Sequence, residues 1–292
     1  MTRILTSLSE IAPDYDALLC DLWGCLHNGI APYPAAVAAL QAFRAGGGKV
    51  VLLTNAPRPH ADVIAQLDRM DVPRDAWDVV VSSGDAAQDA MFAGAVGRKV
   101  FFIGADKDLN FFNDIPPEWA GAPAIERVPL DEAEGIVCTG LFDDLTETPD
   151  DYRAQFLLAK TRGLKLLCAN PDIVVDMGDQ RIYCAGALAQ LYTEMGGDSL
   201  YFGKPHPPIY DLARRRLADL GGTDSPRLLA IGDGIRTDVE GGLGEGIDTI
   251  FVSGGLAAEA FGNDVNNPDP AALDSWLEAQ QLVPQYAIGR LR

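Results

Sequence analysis

Asp21 follows the apolar run Ala17–Cys20 and precedes a glycine three residues on, so the chain can turn sharply beneath its carboxylate. A carboxylate placed this way can attack phosphorus and form an aspartyl phosphate that water later hydrolyses. Two anions must then approach each other, against about 4 kcal/mol of repulsion per unit-charge pair at 4 Å with an effective dielectric near 20. Compensating groups recur further along the chain. Lys204 sits between Gly203 and Pro205 in a loop those residues restrain, and its ammonium can hold phosphate. Thr54 and Asn55 supply a hydroxyl and backbone N–H groups suited to a phosphoryl oxygen. Asp233 and Asp238, in the run Gly-Asp-Gly-Ile-Arg-Thr-Asp, can hold Mg²⁺, a hard ion that takes oxygen ligands. The combination reads as phosphoryl transfer through an aspartyl intermediate.

Three of these groups follow short apolar runs: residues 17–20 before Asp21, 50–53 before Thr54, and 228–231 before Gly232-Asp233. Residues 250–252 before Ser253-Gly254 form another. Continuous Val/Ile/Leu runs without alternation suit strands buried on both faces of a parallel sheet. Helical periods lie between them. Residues 34–43 carry Val37, Leu40 and Phe43, with Pro34 at the start and Gly46 as a stop. Residues 207–220 carry Ile209, Leu212, Leu217 and Leu220, with Arg214 to Arg216 on the solvated arc. A further helix opens at Asp269-Pro270. Open α/β sheets bind ligands at the carboxyl ends of their strands, which is where these polar groups fall.

Residues of roughly 84–185 read as a second α/β unit interrupting the first. Strands are expected at 99–104, 135–140, 164–168 and 181–184, with a helix over 150–162 and a loop-like connection over 105–130. The fold class is therefore α/β: a Rossmann-like parallel core from residues 1–83 and 186–292, with an inserted α/β cap over 84–185.

The bulk properties agree with a folded soluble protein. The 292 residues are 48% apolar and 22% charged, ample for a buried core. A formal net charge of −19 argues against nucleic-acid and anionic-membrane partners, both of which need clustered Lys and Arg. Five cysteines form no Cys-x-x-Cys pair and no zinc spacing, and several lie in apolar runs as small hydrophobes. The expectation is a reduced, cytoplasmic protein without a signal peptide or membrane span.

Taken in order, the segments around Asp21, Thr54, Lys204 and Asp233 with Asp238 resemble the four motifs of the haloacid dehalogenase-like hydrolase superfamily. The long insertion between the second and third motifs resembles the large α/β cap of its p-nitrophenyl-phosphatase-like and sugar- or nucleotide-phosphatase subfamily. Gly140-Leu141-Phe142-Asp143 and Asn170-Pro171-Asp172 look like that subfamily too. The resemblance implies an Mg²⁺-dependent phosphatase acting on a small phosphorylated metabolite. It implies that Asp21 is nucleophile and metal ligand, that the backbone carbonyl of Trp23 and the Asp233 carboxylate are ligands, and that Asp238 orients water around the ion. A homo-oligomer built on the cap would be compatible with it.

One residue departs from the pattern. Phosphatases of this family carry a second Asp two positions after the nucleophile, which protonates the leaving group and then activates water; this chain has Trp23. Indole does neither, and general acid–base help is typically worth about 10²–10⁴ in rate. Slow turnover is one consequence. A phosphometabolite-binding or regulatory protein with little catalysis is the alternative. Dehalogenation would leave Asp233 and Asp238 unexplained. His27 is a candidate substitute acid/base, since imidazole titrates near neutrality; the other reading is an ordinary loop residue. Asp143, Asn170 and Asp172 face the substrate from the cap in one reading and are turn residues in the other. Gly46 to Gly48 and the glycines of 241–246 lack the strand-then-helix context of a dinucleotide loop.

Overall fold

The computed structural model describes residues 2–177 and 180–292, which divide into two compact units. The first comprises residues 1–54, 64–81 and 210–292; the second comprises residues 55–63 and 82–209.

The strands in chain order are β1 (Arg3–Leu5), β2 (Ala17–Cys20), β3 (Lys49–Thr54), β4 (Val79–Ser82), β5 (Lys99–Ile103), β6 (Glu126–Arg127) and β7 (Gly135–Cys138). They continue with β8 (Lys165–Cys168), β9 (Val174–Met177), β10 (Gln180–Tyr183), β11 (Asp198–Tyr201), β12 (Leu228–Gly232), β13 (Asp248–Val252) and β14 (Tyr286–Ile288). The helices are α1 (Pro34–Ala45), α2 (His60–Arg69), α3 (Ser83–Phe92), α4 (Asn110–Asn113), α5 (Arg153–Thr161), α6 (Ala185–Glu194), α7 (Pro207–Asp219), α8 (Glu240–Gly244) and α9 (Pro270–Gln280).

The first unit holds a seven-stranded sheet in the order β1-β14-β13-β12-β2-β3-β4. Strands β1, β14, β13, β12, β2 and β3 run parallel to their neighbours. The chain leaves β2 toward β3 and β4 on one side, while β12, β13 and β14 build outward on the other. The order therefore reverses between β2 and β12, the position at which open α/β sheets form their ligand crevice. Every residue of β2 is buried, as its uninterrupted apolar run requires. On one face Phe251 of β13 stacks on Trp276 of α9 and meets Phe261 edge-on. Helix α9 begins where expected, with the Asp269 carboxylate accepting the Ala272 N–H at 2.8 Å and Pro270 in the first turn.

The second unit holds a five-stranded parallel sheet in the order β11-β8-β7-β5-β6. Successive residues of its central strands enter opposite cores. Ile136 and Leu166 pack with Tyr152, Phe156 and Tyr192, whereas Val137 and Leu167 pack with Phe92 and Phe111. Both faces are thus covered, which explains runs too apolar to alternate.

One expected boundary needs correction. The boundary at 186 falls inside α6, because β11 pairs with β8 in register from Asp198↔Lys165 to Tyr201↔Cys168 and completes this sheet. The unit accordingly extends to residue 209. The strand expected at 181–184 is present as β10, which pairs antiparallel with β9 as a separate two-stranded ribbon. Among the described residues no helix is long and apolar enough to cross a membrane.

Candidate active site

In the first unit, register brings the acidic residues together. Cys20 of β2 lies opposite Ile231 of β12, and the Asp21 N–H donates to the Ile231 carbonyl at 2.8 Å. Asp21 and Asp233 therefore leave adjacent strand ends at almost the same level. Both are buried, at 8% and 4% exposure. One oxygen from each, with the Sγ of Cys25, form a trio whose ligand atoms all lie within 4.8 Å of one another.

The loop after β2 makes that approach feasible. Gly24 adopts φ +79°, and a β-carbon there would stand 2.0 Å from Asp233 Oδ2. One on Gly255 would stand equally close. The Asp233 carboxylate is thus threaded between two backbones, and it accepts the Leu256 N–H at 2.9 Å. Asp238 lies outside the trio, on a π-helical turn over Ile235–Val239. Its carboxylate accepts the Gly234 N–H at 3.1 Å and the Thr237 hydroxyl at 3.3 Å. Single π-turns concentrate at functional sites. Thr54 ends β3, the other neighbour of β2.

The same loop fixes Trp23. Its six-membered ring lies over Gly29, where a β-carbon would come within 2.4 Å of the indole. His27 meets the indole edge-on at 5.9 Å between centroids. The His27 ring is buried, and its Nδ1 accepts the Gly29 N–H at 3.0 Å, which puts the proton on Nε2. Desolvation pushes its pKa down to about 4. An imidazole held neutral in this way is not a reservoir of protons at neutral pH; it ties the loop instead. Cys25 is forced the opposite way: burial, with the charges of Asp233 and Asp21, raises its pKa well above that of an ordinary thiol.

In the second unit Asn55 organises the Lys204 loop. Its Oδ1 accepts the Lys204 N–H at 2.7 Å, and its Nδ2 donates to the Lys204 carbonyl at 3.0 Å and to Asp172 Oδ1 at 2.8 Å. Both hydrogen-bond donations of the side-chain amide go to these partners, so the side chain braces the Lys204 loop. Lys204 is itself buried, at 3% exposure. Asn170 Oδ1 accepts the Asp172 N–H at 3.0 Å, so Asn170, Asp172 and Asn55 form one hydrogen-bonded series. Asp143 is different. It is exposed, and its carboxylate accepts the Leu145 N–H and the Thr146 hydroxyl, which hold its pKa below the usual carboxylate range. Those contacts make it a turn residue.

A concavity of about 1140 Å³ opens at the other end of the first sheet, lined by Tyr15, Phe43, Lys49, Arg214 and Leu228 among others. It adjoins the strand starts, away from the trio. Its Arg214 pairs with Glu245 at 2.6 Å.

Residues 18–115 match the family model "Haloacid dehalogenase-like hydrolase", and residues 201–279 match a HAD-hydrolase-like model. A solved haloacid dehalogenase-like hydrolase from Brucella suis 1330 is 40% identical, with a TM-score of 0.83 over 98% of this chain and 99% of that one. The chain belongs to the haloacid dehalogenase-like hydrolase family. This hydrolase is also 28% identical to the D-glycerol 3-phosphate phosphatase of Mycobacterium tuberculosis, over 85% of its own length but only 66% of that protein. It is 25% identical to the 5'-nucleotidase YutF of Bacillus subtilis, over 90% of its length and 97% of the relative. The matched segments contain Asp21, Thr54, Lys204, Asp233 and Asp238.

Proposed function

We propose that this hydrolase is an Mg²⁺-dependent phosphatase that transfers the phosphoryl group of a small phosphorylated metabolite to Asp21 and then to water. The observation that carries the reading is the close pair of buried carboxylates, Asp21 and Asp233, on adjacent strand ends. Two anions held this near each other, with glycines at 24 and 255 making room, call for a cation between them. Their oxygen donors suit Mg²⁺. Asp21, Asp233 and the Trp23 carbonyl would hold the ion, with Asp238 behind them. When bound it supplies positive charge against the phosphate and the attacking carboxylate.

One Asp21 oxygen attacks phosphorus, and the ester P–O bond breaks as the new bond forms. The departing alkoxide or phenoxide takes its proton from solvent, since Trp23 has none to give. Water then attacks phosphorus in the acyl phosphate, releasing inorganic phosphate and restoring the Asp21 carboxylate. Lys204 carries the cation that the family resemblance assigns to the phosphate, on a backbone held by Asn55. His27 acts as a tie in the loop rather than as the missing acid.

The relatives' substrates, a glycerol phosphate and a 5'-nucleotide, support a small alkyl phosphate as the natural class. One observation favours a second reading: the indole packed over Gly29 stands where the family's acid would be, which suits a protein that binds a phosphorylated metabolite and turns it over slowly. A panel of alkyl, aryl and acyl phosphates assayed with Mg²⁺ and again with EDTA tests the main reading. Phosphate release that requires Mg²⁺ is expected. Full activity in chelator would sink it, and tight Mg²⁺-dependent binding without release would establish the second reading.

A further inference from the structure

Four of the five cysteines place their sulfur against a polar partner: Cys20 against the Asp21 carbonyl at 3.2 Å, Cys138 against Gly140 O at 3.7 Å, Cys168 against Asn170 O at 3.3 Å, and Cys184 against the Asn170 side chain. Cys25 is the exception. It is 1% exposed, and its thiol has no hydrogen-bond partner among the described residues. The turn at Gly24, with the Leu26 N–H bonded to the Leu22 carbonyl, brings this sulfur beside the two carboxylates. Its Sγ lies within 4.8 Å of an oxygen from each of Asp21 and Asp233.

We infer that Asp21, Cys25 and Asp233 form an inhibitory site for a thiophilic divalent cation such as Zn²⁺ or Cd²⁺. Ligands at the usual zinc–oxygen and zinc–sulfur distances stand roughly 3.3–3.6 Å apart in tetrahedral geometry, so contraction by at most about 1.5 Å closes the set. A fourth position remains for water. Mg²⁺ gains nothing from sulfur, whereas a softer ion gains a thiolate ligand and already binds mixed donor sets more tightly. On binding, the thiol proton passes to solvent and the sulfur becomes the third protein ligand. An Asp21 oxygen held by that ion cannot attack phosphorus. The hydrolase is then inactive with its metal site filled.

This inference rests on Asp21 and Asp233 being metal ligands, so its test reads metal binding without substrate. Cd²⁺ is titrated into the intact protein while the ultraviolet sulfur-to-cadmium charge-transfer band is recorded. One equivalent should produce the band in the wild type. Cys25→Ser and Cys25→Val, each checked for folding by circular dichroism, should lose it and bind Cd²⁺ about tenfold or more weakly. Added Mg²⁺ should move the wild-type midpoint to higher Cd²⁺. A band that persists in the folded variants, or fails to appear in the wild type, overturns the inference. Calorimetric Mg²⁺ binding separates the causes. If Mg²⁺ binds while Cd²⁺ gives no band, only the thiophilic site falls; if neither binds, the carboxylate assignment falls with it.

Discussion

The backbone of Gly24 runs so close beneath Asp233 that a β-carbon on the glycine would stand 2.0 Å from the Asp233 Oδ2. The loop carrying Asp21 and the strand end carrying Asp233 are therefore adjusted to each other, and the carboxylate fits where it does because position 24 has no side chain.

Gly24→Ala should uncouple folding from metal binding. The positive φ costs about 1–2 kcal/mol for an L side chain, which a domain of this size can absorb. The added methyl must also push the carboxylate aside. The expected outcome is a folded protein whose Mg²⁺ requirement rises tenfold or more, by about the 1.4 kcal/mol that a tenfold change represents. Mg²⁺ titration of phosphatase activity alongside a thermal melt checks this. Unchanged Mg²⁺ dependence would mean that Asp233 is not a ligand.

His27 predicts a pH dependence of stability. Its folded pKa, about 4, lies below its ordinary value of 6.5, so the unfolded chain binds the extra proton first as pH falls. Its stabilising contribution is complete above about pH 6.5 and is lost progressively down to about pH 4, by on the order of 3 kcal/mol. His27→Asn retains an acceptor for the Gly29 N–H but does not titrate. Denaturant melts at several pH values should therefore show the wild type losing stability relative to the variant between those limits. Parallel curves would contradict the buried neutral ring. The same variant should keep most of its phosphatase activity at pH 7, and a collapse of turnover there would restore His27 as the proton source.

Trp23 predicts a leaving-group preference. Aryl and acyl phosphates depart as weak bases and need little proton help, while alkyl phosphates need a great deal. The wild type should hydrolyse p-nitrophenyl or acetyl phosphate measurably and hexose phosphates much more slowly. Trp23→Asp should raise kcat for alkyl phosphates by more than for aryl ones, up to about 10²-fold or beyond. Equal effects on both classes would show that the indole limits something other than proton transfer. Removing the indole also opens space over Gly29, so the variant's melt should be measured beside its kinetics.

Much of the fold was legible because strands buried on both faces leave unbroken apolar runs. The runs over 17–20, 50–53 and 228–231 named β2, β3 and β12, and the polar residues after them are those the sheet gathers. What escaped was short or depended on distant partners. Strands β1 and β14 have three residues each, too few for a period, and they exist through pairing with each other across the length of the chain. Strand β11, Asp-Ser-Leu-Tyr, has little apolar signal because it lies at a sheet edge, and missing it moved the expected unit boundary. The role of Asn55 was hidden for the same reason, since its hydrogen bonds reach Lys204 and Asp172 far along the chain. Cys25 belongs to no Cys-x-x-Cys pair or zinc spacing, and its nearness to Asp21 and Asp233 arises only when the loop after β2 folds over the sheet end.

The central claim is that Asp21 becomes phosphorylated, and trapping the phosphoenzyme tests it most directly. Without an acid/base at position 23, hydrolysis of the acyl phosphate should be slow enough for the intermediate to accumulate. The protein is incubated with Mg²⁺ and a labelled acyl phosphate, quenched in acid, and digested. The account predicts hydroxylamine-sensitive label on the peptide containing Asp21, absent from Asp21→Asn and from protein treated with EDTA. Label that survives in Asp21→Asn, or steady phosphate release by the wild type with no labelled protein at any time, would contradict it.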